Sequence, residues 1–438
     1  MTGMALSVSV AGFRGAALAL AVAFTGPAVG AEAPYDYPLE DAMEATVLGT
    51  PRALQARVPD QVPTEELRLR VFPQRTPPAV FWYAERLPVL VARQRRPAPL
   101  VYVVAGTGSS HAGASMRAML GALYQAGFHV VTIASPTHPS FIVAASERQL
   151  PGLPQNDARD LYRVMRLVYA EVAGSIDITA QHLVGYSLGA AEAAFVARLD
   201  DAEGAIGFDR VLMINPPVSL YRSAEKLDAM VDAIPGGVDD FDLFFYQNFG
   251  RFAAAYQQQD VLDFTNDFLF TLYRRKPPPE RTFEALIGIT FRLAAANVLF
   301  TADVLNRAGV VVPKERVIAT TDSLTEYAKV CAYLGFRQYM QHLLLPVVRR
   351  QRPETRFSDL VAASDLASIE SYLRQAAKIG LMHNRDDPVL TAGDLDFLAE
   401  VFRGRARFYP RGGHLGNLNH HRNVADMIAF LKGEWGPE

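Results

Sequence analysis

Cysteine is almost absent: Cys331 is the only one in 438 residues. A single thiol excludes an internal disulfide and leaves too few thiolates for a zinc or iron–sulfur site. If the chain is exported, it must be stable without cross-links. Surplus basic charge is also missing, since 43 basic residues face 46 acidic ones. With no excess to neutralise phosphates, an obvious nucleic-acid binder is excluded. Beyond the N-terminal region no stretch reads as a membrane span, because the most apolar one, residues 286–300, carries Arg292 and Asn297. Internal repeats and low-complexity segments are lacking too. What remains is a composition that can bury a core, 50% hydrophobic and 20% charged. The length allows two or three domains, or one α/β core carrying an insertion.

The first thirty residues have the n-, h- and c-region order of a secretory signal. Arg14 is the only charge before an apolar run at 15–24, which Gly26 and Pro27 break ahead of Val29-Gly30-Ala31. Cleavage is expected after Ala31, with Ala33 as the alternative, giving a periplasmic or secreted protein. An uncleaved anchor, with Arg14 snorkelling, is the competing reading. No cysteine follows the run, so a lipoprotein signal is absent.

Residues 32–66 read as an extended entry segment, and residues 67–72 and 80–90 as strands. The continuous apolar run 100–105 (LVYVVA) suits a strand buried on both faces, and it ends in the turn Gly106-Thr107-Gly108-Ser109-Ser110. A helix over 115–126 and a strand over 129–134 follow. Asn156 or Asp157 can cap a helix carrying Leu161, Val164, Met165 and Val168 at helical spacing. A strand at 178–185, a helix at 190–199 and a strand at 211–214 continue the alternation, which indicates a parallel sheet covered by helices.

From about residue 220 to 375 the periodicity turns helical and no convincing strand remains. Phe283, Ile287, Phe291, Ala294, Val298, Ala302 and Leu305 step by three or four along one face of a long helix, and residues 322–348 read similarly. Such an insertion is expected to be a cap. The alternation resumes with a strand at 379–383, a helix near 392–402 and a strand at 406–409. The expected division is a signal at 1–31, a core at 32–219, a helical cap at 220–375 and the rest of the core at 376–438.

Gly185-Tyr186-Ser187-Leu188-Gly189 lies between a predicted strand and a predicted helix. The two glycines suit a tight turn that lifts a serine hydroxyl clear of the sheet at a helix N-terminus. A serine needs a base to remove its proton, and the base needs a carboxylate to orient it. His414 sits in a glycine-rich loop after the last predicted strand, and Asp386 and Asp387 follow the strand before it. The order serine, acid, histidine is that of the α/β-hydrolases.

On these motifs the chain resembles the α/β-hydrolase superfamily over residues 65–220 and 376–435. The motifs are the elbow GYSLG, the acid loop HNRDDPV, the histidine loop GGHLG and the oxyanion loop VAGTGSS. The resemblance implies a mostly parallel sheet with helices on both faces and an inserted helical cap. It favours Asp387 as the acid, since an aliphatic residue follows two positions on at Val389; Asp386 is the alternative, the other aspartate then capping the loop. It also implies an oxyanion hole from the amides of Leu188 and Thr107. The chain departs from the family where Ala105 stands in place of a common histidine.

Other residues have plainer readings. His129 and His182 flank strands. His420 and His421 approach the last helix, where a metal role would need a third ligand that the sequence does not supply. His111 could line the pocket. Residues 241–273 hold eight phenylalanines and three tyrosines; spaced like Phe241, Phe244, Phe245, Phe249 and Phe252 they pack a cap, and some would roof an apolar pocket. The basic runs at 274–276 and at Arg349, Arg350 and Arg352 are solvated, with peripheral contact to anionic lipid as the second reading. The expected function is an exported serine hydrolase of carboxylic esters, lipid-like substrates included, needing no cofactor or metal. An acyltransferase or amidase using the same triad, and a non-catalytic lipid-binding protein of the same fold, are the alternatives.

Overall fold

Among the described residues eight strands, most of them short apolar runs and β1 a largely polar one, form one sheet in the order β1-β2-β4-β3-β5-β6-β7-β8. In this computed structural model the described residues are 35–241, 243–244 and 279–435. The expected signal therefore lies outside them, as do Phe245, Phe249, Phe252 and the basic run at 274–276. β1 (Thr64–Leu69) and β2 (Leu87–Ala92) pair antiparallel, and β2 pairs antiparallel with β4 (His129–Ile133). From there β4, β3 (Ala98–Val104), β5 (Ile178–Tyr186), β6 (Arg210–Ile214), β7 (Ile379–Asn384) and β8 (Ala406–Tyr409) run parallel. β3 and β4 are buried almost throughout, as continuous apolar runs in a sheet covered on both faces must be. The fold is that of an α/β-hydrolase.

Helix α1 (Ala42–Leu48) precedes β1, and among the described residues the α-helices between the strands up to β6 are α2 (Ala114–Gln125), α3 (Pro139–Ala144), α4 (Pro154–Val172) and α5 (Leu188–Glu203). Between β6 and β7 the described residues form helices and no strand: α6 (Leu220–Ala229), α7 (Thr282–Asn306), α8 (Thr325–Ala332), α9 (Phe336–Tyr339), α10 (Leu345–Arg349), α11 (Phe357–Ser364) and α12 (Glu370–Gln375), with shorter turns between. α13 (Asp394–Val401) and α14 (His421–Lys432) complete the chain. Tyr37–Glu438 form one compact unit in which sheet and helical insert are not separated. Of the preceding unit, Met1–Asp36, only Tyr35 and Asp36 are described.

Several local expectations are corrected. Residues 80–90 are not one strand: Pro78 leads into a 3-10 helix at Ala79–Ala84, which buries Phe81 against Phe300, and β2 starts only at Leu87. The entry segment is not wholly extended, because Asp41 accepts the Glu44 amide at 2.7 Å and starts α1. Neither Asn156 nor Asp157 caps α4. Pro154 opens that helix, and buried Asp157 instead accepts the Gly152 amide at 2.7 Å. Residues 322–348 break at Gly335, where the Asp228 carboxylate accepts the Phe336 amide at 2.6 Å.

Among the described residues one helix, α7, is long and apolar enough to cross a membrane. Part of it is packed inside the protein. Ala285, Ile289, Val298, Leu299 and Ala302 are buried, and Arg292 is neutralised inside the insert by Asp228, with Nε 3.0 Å from Oδ1. Arg349, Arg350 and Arg352 are exposed.

Candidate active site

Ser187 occupies the one-residue junction between β5 and α5, at φ 54° and ψ −126°. That backbone is costly for a residue with a Cβ, and it persists only where the surroundings impose it. Here they do. The Ser187 amide donates to the Ile214 carbonyl at 2.8 Å. A Cβ at Gly185 would strike the Gly189 carbonyl, and one at Gly189 would strike the carbonyls of Val104 and Ala105. The two glycines thus let α5 dock against the ends of β3 and β5, which turns the serine outward.

The loop after β7 and the loop after β8 meet this serine from the other side. His414 Nε2 lies 2.9 Å from Ser187 Oγ, and His414 Nδ1 lies 2.9 and 3.1 Å from the two Asp387 carboxylate oxygens. Asp387 is buried and receives two further bonds, from Asn215 Nδ2 at 2.7 Å and the Val389 amide at 2.9 Å. Burial alone would raise its pKa. The His414 charge and hydrogen bond, with smaller help from His383 and Asn215, outweigh that and hold the carboxyl below the usual aspartate range. Asp387 is therefore an anion where an imidazolium would need one.

Asp386 does something else. Its oxygens accept the amides of Gly412 and Gly413, each at 3.0 Å, so it holds the histidine loop rather than the imidazole. Burial raises its pKa, and these amides only partly offset the rise.

Leu188 and Thr107 both line the cavity that contains Ser187. Leu188 is the first residue of α5, where a helix leaves amides without intrahelical partners. The empty space of this cleft is ≈ 560 Å³ when the solvent at its open mouth is included. Its walls are mostly apolar: Leu220, Ala224 and Leu227 from α6, Phe291, Ala295 and Val298 from α7, and Phe336 from α9.

Other expected residues lie elsewhere. His111 does not line this cavity; its Nε2 sits 3.3 Å from Glu66 on β1. His129 is a structural residue, accepting the Gln94 amide at 3.0 Å through Nδ1. His182 and His420 are buried. Phe241 and Phe244 pack against Val231, Ile234, Ala285 and Ile289 rather than on the cavity. Among the described residues the aromatic rings of the wall are Phe291 and Phe336, which come from other parts of the insert.

Sequence reasoning missed several supports of the histidine. The His414 amide donates to Thr46 Oγ1 at 2.8 Å, Thr50 Oγ1 donates to the Gly416 carbonyl at 2.7 Å, and Asn384 Nδ2 donates to the Gly413 carbonyl at 2.8 Å. A Cβ at Gly413 or Gly416 would collide with the α1 carbonyls of Ala42 or Ala45. The N-terminal helix thus packs directly on the loop that carries the imidazole.

No family model matches the chain, and no curated protein does. Solved structures resemble it distantly. An esterase of Pyrococcus furiosus is 8% identical, covering 87% of this chain and 97% of its own, with a TM-score of 0.40. A serine hydrolase of the bacterium Cycloclasticus zankles is 9% identical, covering 85% and 99%, with a TM-score of 0.44. Fungal esterases of Rhizomucor miehei give 14% identity, 90% and 88% coverage and a TM-score of 0.42. Likeness at this distance carries no functional statement, which has to come from the site itself.

Proposed function

We propose that the protein is a serine hydrolase of carboxylic esters that works through an acyl-enzyme on Ser187. The observation that carries this is the continuous chain of contacts from Ser187 Oγ through the two nitrogens of His414 to buried Asp387. In the acylation step Ser187 Oγ bonds to the ester carbonyl carbon as His414 Nε2 takes its proton. The imidazolium so formed is stabilised by Asp387. The carbonyl oxygen gains charge, which the amides of Leu188 and Thr107 receive. As the tetrahedral species collapses, the bond to the alkoxy oxygen breaks and His414 returns the proton to the departing alcohol. Water then repeats the sequence on the acyl-enzyme, releasing the carboxylic acid and restoring Ser187.

The apolar wall beside the serine favours an acyl chain over a polar group. We read the helical insert, which supplies that wall, as a cap. Each methylene buried there is worth about 0.8 kcal/mol, or roughly fourfold in kcat/KM, until the cavity is full. A series of p-nitrophenyl esters of increasing acyl length should therefore rise steeply from acetate. Phe291→Ala combined with Phe336→Ala should flatten that rise, with the fold of the variant checked by its melting curve. A flat wild-type series would remove the lipid-like substrate class and leave small esters.

A further inference from the structure

The face of α6 that borders the cavity is built from positions three and four apart: Leu220, Ser223, Ala224 and Leu227. Three of these are apolar, and the fourth carries a hydroxyl. Ser223 is only 2% exposed, and its Oγ has no hydrogen-bond partner among the described residues. A serine inside a helix commonly turns its hydroxyl back onto the carbonyl four residues earlier. Here the Ser219 carbonyl takes the Ser223 amide at 3.0 Å, while Ser223 Oγ stays unpaired. Two other hydroxyls of the wall are already engaged, Ser187 with His414, and Thr137 with the Gly108 amide at 2.9 Å and Ser135 at 2.8 Å, while Thr107 is only partly buried and can bond to water.

A buried hydroxyl left unpaired costs stability, and alanine, a better helix former, would fit this face without that cost. Among the described residues the wall therefore has one fully buried hydroxyl without a partner. Its place on the wall of the cavity that also holds Ser187 makes a bound molecule the natural partner.

We propose that Ser223 is a specificity residue, whose hydroxyl receives a hydroxyl or keto oxygen carried by the non-reacting part of the substrate. The inference rests on the ester-hydrolase reading and narrows its substrate class to oxygenated lipid-like esters. Such a group binds with its hydrogen bond made, whereas a plain alkyl chain leaves Ser223 unpaired. Sites of this kind discriminate strongly against the analogue lacking the polar group.

The oxygen can sit on the acyl or on the alcohol side, and two arms of one experiment separate these. Esters are bound to the full-length Ser187→Ala protein, so that affinity is read without turnover. In the first arm a straight-chain acyl ester is compared with versions hydroxylated at successive carbons. In the second, an alkyl ester is compared with its glycerol counterpart at constant acyl chain. The expected result is about tenfold tighter binding of the oxygenated member at one position in one arm. Adding Ser223→Ala should erase that preference, and Ser223→Thr should retain it.

Equal or weaker binding of every oxygenated ester overturns the proposal, and so does a preference that survives Ser223→Ala in a protein with an unchanged melting curve. A failure of the hydrolase reading looks different. The wild-type protein would then turn over none of the esters, while the binding ratio would still decide the role of Ser223.

Discussion

Ser187→Ala and His414→Ala are each expected to lower ester hydrolysis by at least about a thousandfold while leaving the melting curve close to that of the wild type. The reason is that the two groups act as one. Without the imidazole the hydroxyl keeps its proton and is a poor nucleophile, and without the hydroxyl the imidazole has nothing to activate. Their 2.9 Å contact joins residues 227 apart in sequence, so either truncation disables the same step. The double variant should be little slower than either single one. Activity within tenfold of wild type in either single variant contradicts the assignment.

The second large effect is expected at the acid. Asp387→Asn should slow hydrolysis by about three to four orders of magnitude, because an amide neither stabilises imidazolium nor selects the tautomer that leaves Nε2 free to accept a proton. Asp387 is buried and already held ionised, so the loss of its charge is not replaced by solvent. Asp386→Asn removes a group that binds the amides of Gly412 and Gly413. It should loosen the histidine loop and cost much less in rate. Comparing the two kcat/KM values at one pH settles the ranking, and the reverse order would assign the acid to Asp386.

Much of this site can be read in the sequence because its chemistry is local. Gly185 and Gly189 mark the turn around Ser187, and the apolar runs of β5 and β6 mark the central strands at whose C-terminal ends it rises. The resemblance, through Asp387-Pro388-Val389, favoured Asp387 and left Asp386 as the alternative, and the structure brings Asp387 rather than Asp386 to the imidazole. The supports are different. Thr46 lies 368 residues from His414, and nothing in a helix of the sequence AMEATVL announces that one hydroxyl holds a distant amide. Asn215 carried a faint signal, a polar residue ending an apolar strand just before two prolines, but its partner is 172 residues away.

The misread elements share a cause. Residues 79–84 have a strand-like composition, yet Pro78 and the burial of Phe81 against Phe300 make a 3-10 helix the better fit. Likewise the helical period through 322–348 continues across Gly335, while Asp228, more than a hundred residues upstream, fixes the break by accepting the Phe336 amide. Tertiary contacts decided where local propensity was weak.

The central claim is that Ser187 is an activated nucleophile, and covalent labelling tests it most directly. A fluorophosphonate probe reacts with a serine only when a base removes its proton and nearby amides receive the phosphoryl oxygen. Incubation with the full-length protein followed by peptide mass spectrometry should find one probe on the peptide containing Ser187. Labelling should fall to background in His414→Ala. A wild-type protein that stays unlabelled, or that carries the probe on another residue, would contradict the account.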